Sequence, residues 1–549
     1  MFKNQPSALY VLSLANMGER FGYYTMLAIF LLFLQTKFGF DAAVSGQIYA
    51  IFLAVVYFTP LLGGWVADRW SFSKCVVTGI FVMFAGYLVM AIPTEIRSTS
   101  SLVILCAALL MIACGTGLFK GNLQVMIGDL YNNQRYSSQR DAAFSIFYMA
   151  INIGSMFAPM AATAMVNMAM QAKGLVYNQS LPALCNNYLD GHENGAELID
   201  TALANGMTPG ENLVDFCNYY ISALSSGYSY GFGLACISLV VSYIIYVAGR
   251  RTYAHIITDK NKETGENRSA NEPQLTPQQT KSRITALLLV FAVVIFFWMV
   301  FNQNGATLTE FAKSCTSPDA SGWTRIGFNV WALSAFAIGI YALFNLFQSK
   351  SRSGKIVSGV IIAIAAAVVG YTYSVTPDPF SGIQPQEYQQ FNPFFVVILT
   401  PVSIAFFSWL ASRKKEPSAP RKIGYGMILA AIAYAIMLIG SIGLSGTSGN
   451  VSPNWLISTY LLLTLAELLL SPMGISFVSK VAPPKYKGAM MGGWFAATAV
   501  GNYLVSIPMI LWGKIPVAAL WGILIVLCCI SAVFIFSIMK RLEAVTNDN

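Results

Sequence analysis

The sequence has 549 residues, of which 56% are hydrophobic and only 10% are charged. Soluble globular domains carry about 25% charged residues, so this composition excludes a soluble enzyme or binding domain and predicts a polytopic membrane protein. The formal net charge of +9 would suit nucleic acid. However, the basic residues lie in short loops beside apolar segments, which is the pattern of membrane topology, and no nucleic-acid partner is expected.

Apolar segments long enough to cross about 30 Å of hydrocarbon recur along the whole chain. The predicted spans are residues 11–36, 46–66, 75–93, 101–127, 142–166, 229–249, 284–304, 326–347, 355–374, 391–411, 424–444, 454–478, 488–511 and 516–540. Basic loops alternate with loops almost free of Lys and Arg, which predicts that both termini are cytoplasmic. No small-residue cleavage site accompanies the first span, so it is predicted to be retained rather than removed as a signal peptide.

The chain divides near its middle. Residues 1–249 are predicted to form an N-terminal six-helix bundle with a long outside insert at 167–228, and residues 284–549 a C-terminal bundle. Residues 250–283 are polar and charged and indicate a flexible cytoplasmic linker. One extra apolar pair, at 326–374, is expected to pack peripherally as a hairpin. Two six-helix halves are typical of transporters with a site at the bilayer midplane.

A polar stripe lies on the first span. Asn16, Glu19, Arg20, Tyr23 and Tyr24 fall at i, i+3, i+4, i+7 and i+8, on one face of a helix. A charge at the centre of a membrane helix costs about 2.5–3.5 kcal/mol, so this face is predicted to line a cavity. The alternative is a motif at the membrane interface, where charges cost little.

Later spans carry further polar residues that lipid would not tolerate. Lys120 lies well inside the fourth span, and Glu467 lies in the apolar stretch Leu461–Leu470. Asn152 belongs to a polar face of the fifth span, where helix packing is the alternative role. Glu19, Arg20, Lys120 and Glu467 sum to zero charge. They therefore suit a zwitterion whose carboxylate meets the two bases and whose ammonium meets Glu467.

The cysteines, histidines and hydroxyl residues give no sign of catalysis. The nine cysteines and two histidines show no metal-ligand spacing, and no nucleophile–base or phosphate-loop motif is present, so no cofactor, no metal and no enzyme activity are predicted. Cys185, Cys217 and Cys315 fall in predicted outside loops, where two of the three can form a disulfide if the compartment is oxidising.

Several separate motifs together resemble the proton-dependent oligopeptide transporter (POT) family, a branch of the major facilitator superfamily. These motifs are Glu19-Arg20-Phe21-Gly22-Tyr23-Tyr24, Tyr57 followed by Leu61-Leu62-Gly63-Gly64-Trp65-Val66-Ala67-Asp68-Arg69, residues 115–120, residues 147–155, Asn392-Pro393, residues 467–474 and residues 491–495. The resemblance covers nearly the whole chain except the two polar inserts. It implies an all-α major facilitator fold, with two six-helix bundles and here an extra two-helix hairpin.

The resemblance also implies import of di- and tripeptides with proton symport, by alternating access, in the cell membrane (the inner membrane of a Gram-negative cell). The implied substrate-binding residues are Arg20, Tyr23, Tyr24, Tyr57, Lys120, Asn152, Gln303, Asn392, Glu467 and Trp494. By motif position, Arg20 and Lys120 resemble the carboxylate clamp, while Glu467, Asn152 and Asn392 resemble the amino-end contacts. The implied partners are small peptides, protons and membrane lipid, and a monomer is expected.

The same resemblance assigns residues to coupling and to conformational change. Proton coupling and gating are implied for Glu19, Arg20, Lys120 and Glu467. Asp68 and Arg69 resemble a cytoplasmic-loop motif that controls how the two halves rock.

Two positions depart from the family pattern. Asn16 stands where the family usually has a first glutamate, and Leu27 stands where many members have another arginine. Because Asn cannot carry a proton, the usual proton relay is in question. The alternatives are a family member with altered coupling, such as a uniporter or one with another protonation site, a carrier of another small zwitterion or anion, and a peptide-sensing receptor.

Overall fold

The computed structural model describes residues 5–131, 136, 139–192, 194–254, 276–444, 446–483 and 486–547. The side chains at positions 68, 140–142, 472–473, 475–476, 479, 487–488 and 546–547 lie outside this description. Within the described ranges, fourteen helical segments are long and apolar enough to cross a membrane. The prediction of an all-α polytopic fold with fourteen spans is therefore confirmed.

The described residues between 5 and 249 form six long helices and two short ones. They are α1 (Ser7–Phe38), α2 (Ala42–Arg69), α3 (Phe72–Ala91), α4 (Thr99–Leu130), α5 (Arg140–Ala172), α6 (Leu181–Leu189), α7 (Ala196–Ala204) and α8 (Leu213–Ala248). Capping residues fix the turn between the first two helices. Gly39 ends α1 with φ 67°, a conformation that suits glycine, and the Asp41 side chain accepts from the Val44 N–H to begin α2.

The C-terminal half starts where Thr276 and Gln279 form a reciprocal capping box. Its helices are α9 (Pro277–Phe301), α10 (Thr307–Ser314), α11 (Val330–Gln348), α12 (Arg352–Val375), α13 (Phe391–Ser412), α14 (Ala419–Gly440), α15 (Asn454–Val481), α16 (Lys487–Leu504), α17 (Ser506–Leu511), α18 (Val517–Ser537) and α19 (Met539–Asn547), and its 3₁₀ turns are Asn302–Gly305, Gly322–Phe328 and Pro385–Gln390. The predicted linker lies mostly at positions 255–275, outside the described residues.

Each half has its own hydrophobic core, and a few residues cross between them. Met156 of α5 packs into the core of the C-terminal half, whereas Val505 and Met509 pack into the core of the N-terminal half. The end of the bundle that carries α6 and α7 is called the insert end below. The opposite end, where α1 begins and α19 finishes, is called the terminal end.

The insert is shorter than the sequence predicted. Helix α5 continues to Ala172 and α8 begins at Leu213, so the region between them is 173–212 rather than 167–228. The polar residues of the first turns of α8 predicted a loop, but they belong to one helix of 36 residues. At 1.5 Å per residue this helix is about 54 Å long, so its first turns extend beyond the ~30 Å of hydrocarbon.

The extra pair of helices, α11 and α12, forms a hairpin at the periphery, as predicted. Helix α12 packs mainly on α11, and most of its apolar side chains are exposed on the outer surface. The hairpin is stabilised internally by the Asn345 side chain, which donates to the Ser358 hydroxyl at 2.8 Å.

Two of the three cysteines predicted to lie outside the membrane come together. Cys185 on α6 and Cys217 on α8 are fully buried and hydrogen-bonded to each other through sulfur. Cys315 instead donates to the Thr447 carbonyl. All nine cysteines are free thiols, and a disulfide stays a prediction that only Cys185 and Cys217 suit by position.

Helices α2 and α4 approach closely, which gives a matched pair of test positions. A Cβ added at Gly63 would lie 2.1 Å from the Gly117 carbonyl oxygen, whereas one added at Gly64 meets nothing within 4 Å. We expect Gly63→Ala to lower the free energy of unfolding by about 1–3 kcal/mol because the helices must move apart. Thermal unfolding in detergent measures this effect. Gly64→Ala is the control, and an equal loss at both positions would contradict the predicted packing.

Candidate functional site

The polar stripe of α1 is buried inside the protein. The Arg20 guanidinium donates through Nε and Nη2 to both carboxylate oxygens of Glu19, each at 2.5 Å, and the two side chains are 3% and 1% exposed. This two-point ion pair balances charges that would otherwise be costly in a dry interior. Tyr87 of α3, which the sequence analysis did not single out, is also buried and interacts electrostatically with both members of the pair.

Lys120 brings a second positive charge to the same region. Its Nζ lies 4.1 Å from the ring centroid of Tyr57, and the Arg20 guanidinium lies 4.6 Å from that of Tyr23. These are cation–π contacts on neighbouring aromatic walls. Among the described residues, no carboxylate oxygen lies within 4.0 Å of the Lys120 Nζ. Within the described part of the chain, Lys120 is therefore a cation without a close counter-ion.

Glu467 of α15 provides the negative charge on the opposite half. One of its carboxylate oxygens accepts from the Tyr148 hydroxyl at 2.8 Å, and the other accepts from the Asn392 amide at 3.0 Å. Asn392 also donates to the Thr464 hydroxyl at 2.9 Å. The residue Glu467 is 8% exposed. Its bond to Tyr148 joins α5 of the N-terminal half to α15 of the C-terminal half.

Tyrosines separate the basic and acidic parts of the site. Tyr24 and Tyr57 each interact electrostatically with both Arg20 and Glu467, and Tyr23 packs edge-to-face against Tyr24 at 5.3 Å. The arrangement puts two cations at one side, a carboxylate at the other and aromatic rings between them. A small molecule with both an acidic and an amino group fits this order of charges.

The remaining predicted site residues do not contact Arg20, Lys120 or Glu467 through a described hydrogen bond. Asn152 donates to the Tyr148 carbonyl of its own helix and is also hydrogen-bonded to the Tyr148 side chain, so it supports the partner of Glu467. The Gln303 amide is fully buried and bonds to the Met299 and Val505 carbonyls and the Thr307 hydroxyl. Trp494 packs over Gly474 and against Phe291. Arg69 stacks on the exposed Trp65 ring at 3.7 Å, and the side chain of Asp68 lies outside the described residues.

Both departures from the family pattern are buried. Asn16 is 2% exposed, and no described group accepts a hydrogen bond from its Nδ2. Leu27 lies in the hydrophobic core of the N-terminal half. Neither position can take up a proton, so any proton-binding group in this site must be another residue.

A second polar network joins the halves at the insert end. Gln35 of α1 donates to Glu310 of α10 at 2.6 Å and accepts from Lys313 at 2.7 Å, while Lys313 and Glu310 form an ion pair at 3.3 Å. A recess of about 190 Å³ lies beside it, with Tyr177 and Asn186 of the insert region among its lining residues. The sequence analysis missed this network because it ended the seventh span at residue 304. The i, i+3 spacing of Glu310 and Lys313 was the available signal.

Comparison with known sequences identifies the class and then the family. A sequence model described as the POT family matches residues 73–271 and 344–520, which is more than half of the chain. The protein is therefore a multi-pass membrane transporter and not an enzyme. It belongs to the POT family, which confirms the resemblance seen in its motifs.

Related proteins align over most of the chain. An uncharacterized transporter, YclF, of Bacillus subtilis (strain 168) is 28% identical over 536 residues, covering 95% of this chain and 91% of that protein. A di-/tripeptide transporter of Lactococcus lactis subsp. lactis (strain IL1403) is 26% identical and covers 91% of this chain and 88% of its own. Dipeptide and tripeptide permease A of Escherichia coli (strain K12) is 24% identical, and the alignment covers 91% of this chain and 83% of that protein.

Solved structures agree on the fold. A mutant of the peptide transporter POT in complex with alafosfalin superposes with a TM-score of 0.67 at 22% identity, covering 99% of this chain and 96% of that chain. A POT family transporter in complex with 5-aminolevulinic acid gives a TM-score of 0.65 at 20% identity, and the superposition covers 100% of this chain and 98% of that chain. The predicted major facilitator fold is thereby confirmed.

Two buried acids in the site have different surroundings, and their neutralisation should have different effects on stability. Glu19→Gln leaves Arg20 buried without a counter-ion, so we expect the free energy of unfolding to fall by about 3–5 kcal/mol. Glu467→Gln removes no ion pair within the described residues and loses about one hydrogen bond, worth about 1 kcal/mol. Thermal unfolding of both variants in the same detergent compares them. Equal losses would contradict the assignment of the ion pair.

Proposed function

We propose that this protein imports di- and tripeptides by alternating access, with proton symport. The proposal rests chiefly on one observation: Arg20 and Lys120 on the N-terminal half face Glu467 on the C-terminal half across Tyr24 and Tyr57. Two of the relatives described above are named as transporters of these peptides. A peptide bound by both charge centres links the two halves as it binds.

In the proposed binding mode, the peptide carboxylate lies near Lys120 and Arg20. Lys120 makes the first contact because it has no close carboxylate among the described residues, whereas Arg20 already holds Glu19. The ammonium group takes the place of the Tyr148 donor at Glu467, while Asn392 keeps its bond to the other carboxylate oxygen. Each charge-assisted contact is worth about 1.5–3 kcal/mol, so the two ends together select for a zwitterion.

The proposed proton-binding groups are Glu19 and Glu467. A proton on Glu467 would release the ammonium, and a proton on Glu19 would free Arg20 for the peptide carboxylate. A membrane potential of 100 mV supplies about 2.3 kcal/mol per proton, which is enough to concentrate a substrate by tens of fold.

The proposed transport unit is one chain in the cell membrane, because the described chain contains both charge centres of the site. Residues 1–249 and 284–549 are the proposed moving halves, and the proposed orientation has both termini in the cytoplasm, which the basic loops support. The insert end then faces outward. The bonds among Gln35, Glu310 and Lys313 would hold this outer side closed while the central site communicates with the cytoplasm.

Chemically blocked dipeptides test the orientation of the substrate. In proteoliposome counterflow, we expect a free dipeptide to compete at least about tenfold better than its C-terminal amide or its N-acetyl derivative. Lys120→Gln should abolish the discrimination against the amide only, because the lost cation meets the carboxylate. Glu467→Gln should abolish the discrimination against the acetylated peptide only.

Each variant serves as the control for the other, since both keep the size of the side chain and lose one charge. If either variant weakens the free and blocked peptides equally, the proposed orientation is wrong. If a non-peptide zwitterion competes better than any dipeptide, the alternative substrate class is favoured. Binding without counterflow would favour a peptide-sensing receptor.

Restoring the missing acid tests proton coupling. We expect Asn16→Glu to change the pH dependence of dipeptide accumulation driven by an imposed pH gradient, because it adds a second carboxyl one turn from Glu19. Asn16→Gln is the neutral control and should match the wild type. Unchanged pH dependence in Asn16→Glu would show that protons act elsewhere. No stimulation of the wild type by the gradient, with counterflow intact, would remove proton symport from the proposal.

A further inference from the structure

Glu387 is a buried acid in the 3₁₀ turn Pro385–Gln390, close to the insert end. Its side chain is only 4% exposed. Within the described part of the chain, no Lys, Arg or His nitrogen lies within 4.0 Å of its carboxylate. The side chain is hydrogen-bonded to Thr163 of α5, on the opposite half.

The groups around Glu387 are neutral amides, hydroxyls and phenols. Gln386 donates to the Thr163 hydroxyl at 3.0 Å and to the Gln384 amide oxygen at 2.5 Å, and Gln384 donates to Asn167 at 2.6 Å. This amide chain binds the 3₁₀ turn to α5 and so joins the two halves. The phenols of Tyr177 and Tyr388 also interact electrostatically with Glu387.

The charged groups on the neighbouring elements already have other partners. On α10, Glu310 and Lys313 bind each other and Gln35. On α1, Glu19 pairs with Arg20, and the Lys37 ammonium donates to Thr94. Helix α5 carries charged residues only in its first turn, at 140–141, and its other titratable side chain, Tyr148, donates to Glu467. Helix α13 and the turn Asn302–Gly305 carry no charged residue. Among the described residues, the closed interface therefore offers Glu387 no counter-ion within 4.0 Å.

An ionised carboxylate in such a place is costly. Burying a charge without a partner costs several kcal/mol, and the group instead binds a proton where it can. If the halves separate at the insert end, the 3₁₀ turn leaves α5 and water reaches the carboxyl group. The same group can then lose its proton.

We propose that Glu387 is a proton-binding site of the insert-end interface, protonated while the halves are closed there and ionised after they separate. One proton binds on closure and one leaves on opening, so acid favours the closed insert end. The proposal rests on the proposed function in that alternating access supplies the opening. It means that the pH at the insert end controls whether the halves are closed there. It does not replace proton binding in the central site.

Hydrogen exchange of the full-length protein tests this directly. After correction for the pH dependence of intrinsic exchange, we expect the amides of residues 376–390 and 163–172 to be at least about tenfold more protected at about pH 5.5 than at about pH 8.5. Glu387→Gln mimics the protonated acid among side chains that are already amides. It should give strong protection at both pH values.

Two controls separate titration from loss of structure. Glu197→Gln removes an exposed acid of α7, at the same end of the molecule, and should behave as the wild type does. Glu387→Asp keeps a titratable carboxyl and should keep the pH dependence. The proposal is overturned if wild-type protection does not change with pH, or if Glu387→Gln follows the wild type. Dipeptide counterflow, measured in parallel, reports separately on the proposed function, because transport can fail while the pH-dependent protection persists.

Discussion

The hydrogen bond from Tyr148 to Glu467 is the interaction on which the arrangement of the site depends. It is made between helices of opposite halves, and it places a carboxylate with no described counter-ion beside a phenol that a ligand can replace. Glu467 is held from its own half by Asn392, so it stays in position when the Tyr148 bond breaks. A bond of this kind holds the two halves together at the site when no ligand is bound. An ammonium group can displace the Tyr148 hydroxyl, because it makes a stronger contact with the same carboxylate oxygen.

The two halves use their buried charges differently. The N-terminal half keeps an internal ion pair between Glu19 and Arg20 and exposes Lys120 to the site, so its excess charge is positive. In the central site, the described residues of the C-terminal half offer Glu467 as the one buried charge. Because neither half can balance its excess charge internally among the described residues, the charges are best satisfied when the halves meet or when a zwitterion lies between them. The same electrostatic requirement thus favours both substrate binding and closure.

Sequence periodicity predicted the fourteen spans and the buried charges Glu19, Arg20, Lys120 and Glu467, because a charge in an apolar run has few explanations, whereas the major facilitator fold was implied by the family resemblance. It could not show which neighbours each polar residue has. Gln303 was implied by the family resemblance, yet its amide bonds entirely within the protein. Tyr148 lies within the motif at 147–155 but was not singled out, although it donates to Glu467. The Gln35–Glu310–Lys313 network depends on residues 275 or more positions apart, which no local pattern connects. The first turns of α8 were misread because polar residues near a membrane end suit a helix as well as a loop.

Three buried acids illustrate why burial alone does not define a role. Glu19 has a cation at 2.5 Å and is stabilised as an anion. Glu467 has two neutral donors, of which Tyr148 can be displaced by a ligand while Asn392 stays bonded. Glu387 is hydrogen-bonded to Thr163 and the Gln384 backbone, lies in a chain of amides between the halves and has no described cation near it. Of the three acids, Glu387 is the one whose protonation is proposed to depend on whether the insert-end interface excludes water. The link between protonation and closure at the insert end therefore follows from the absence of a counter-ion among the described residues.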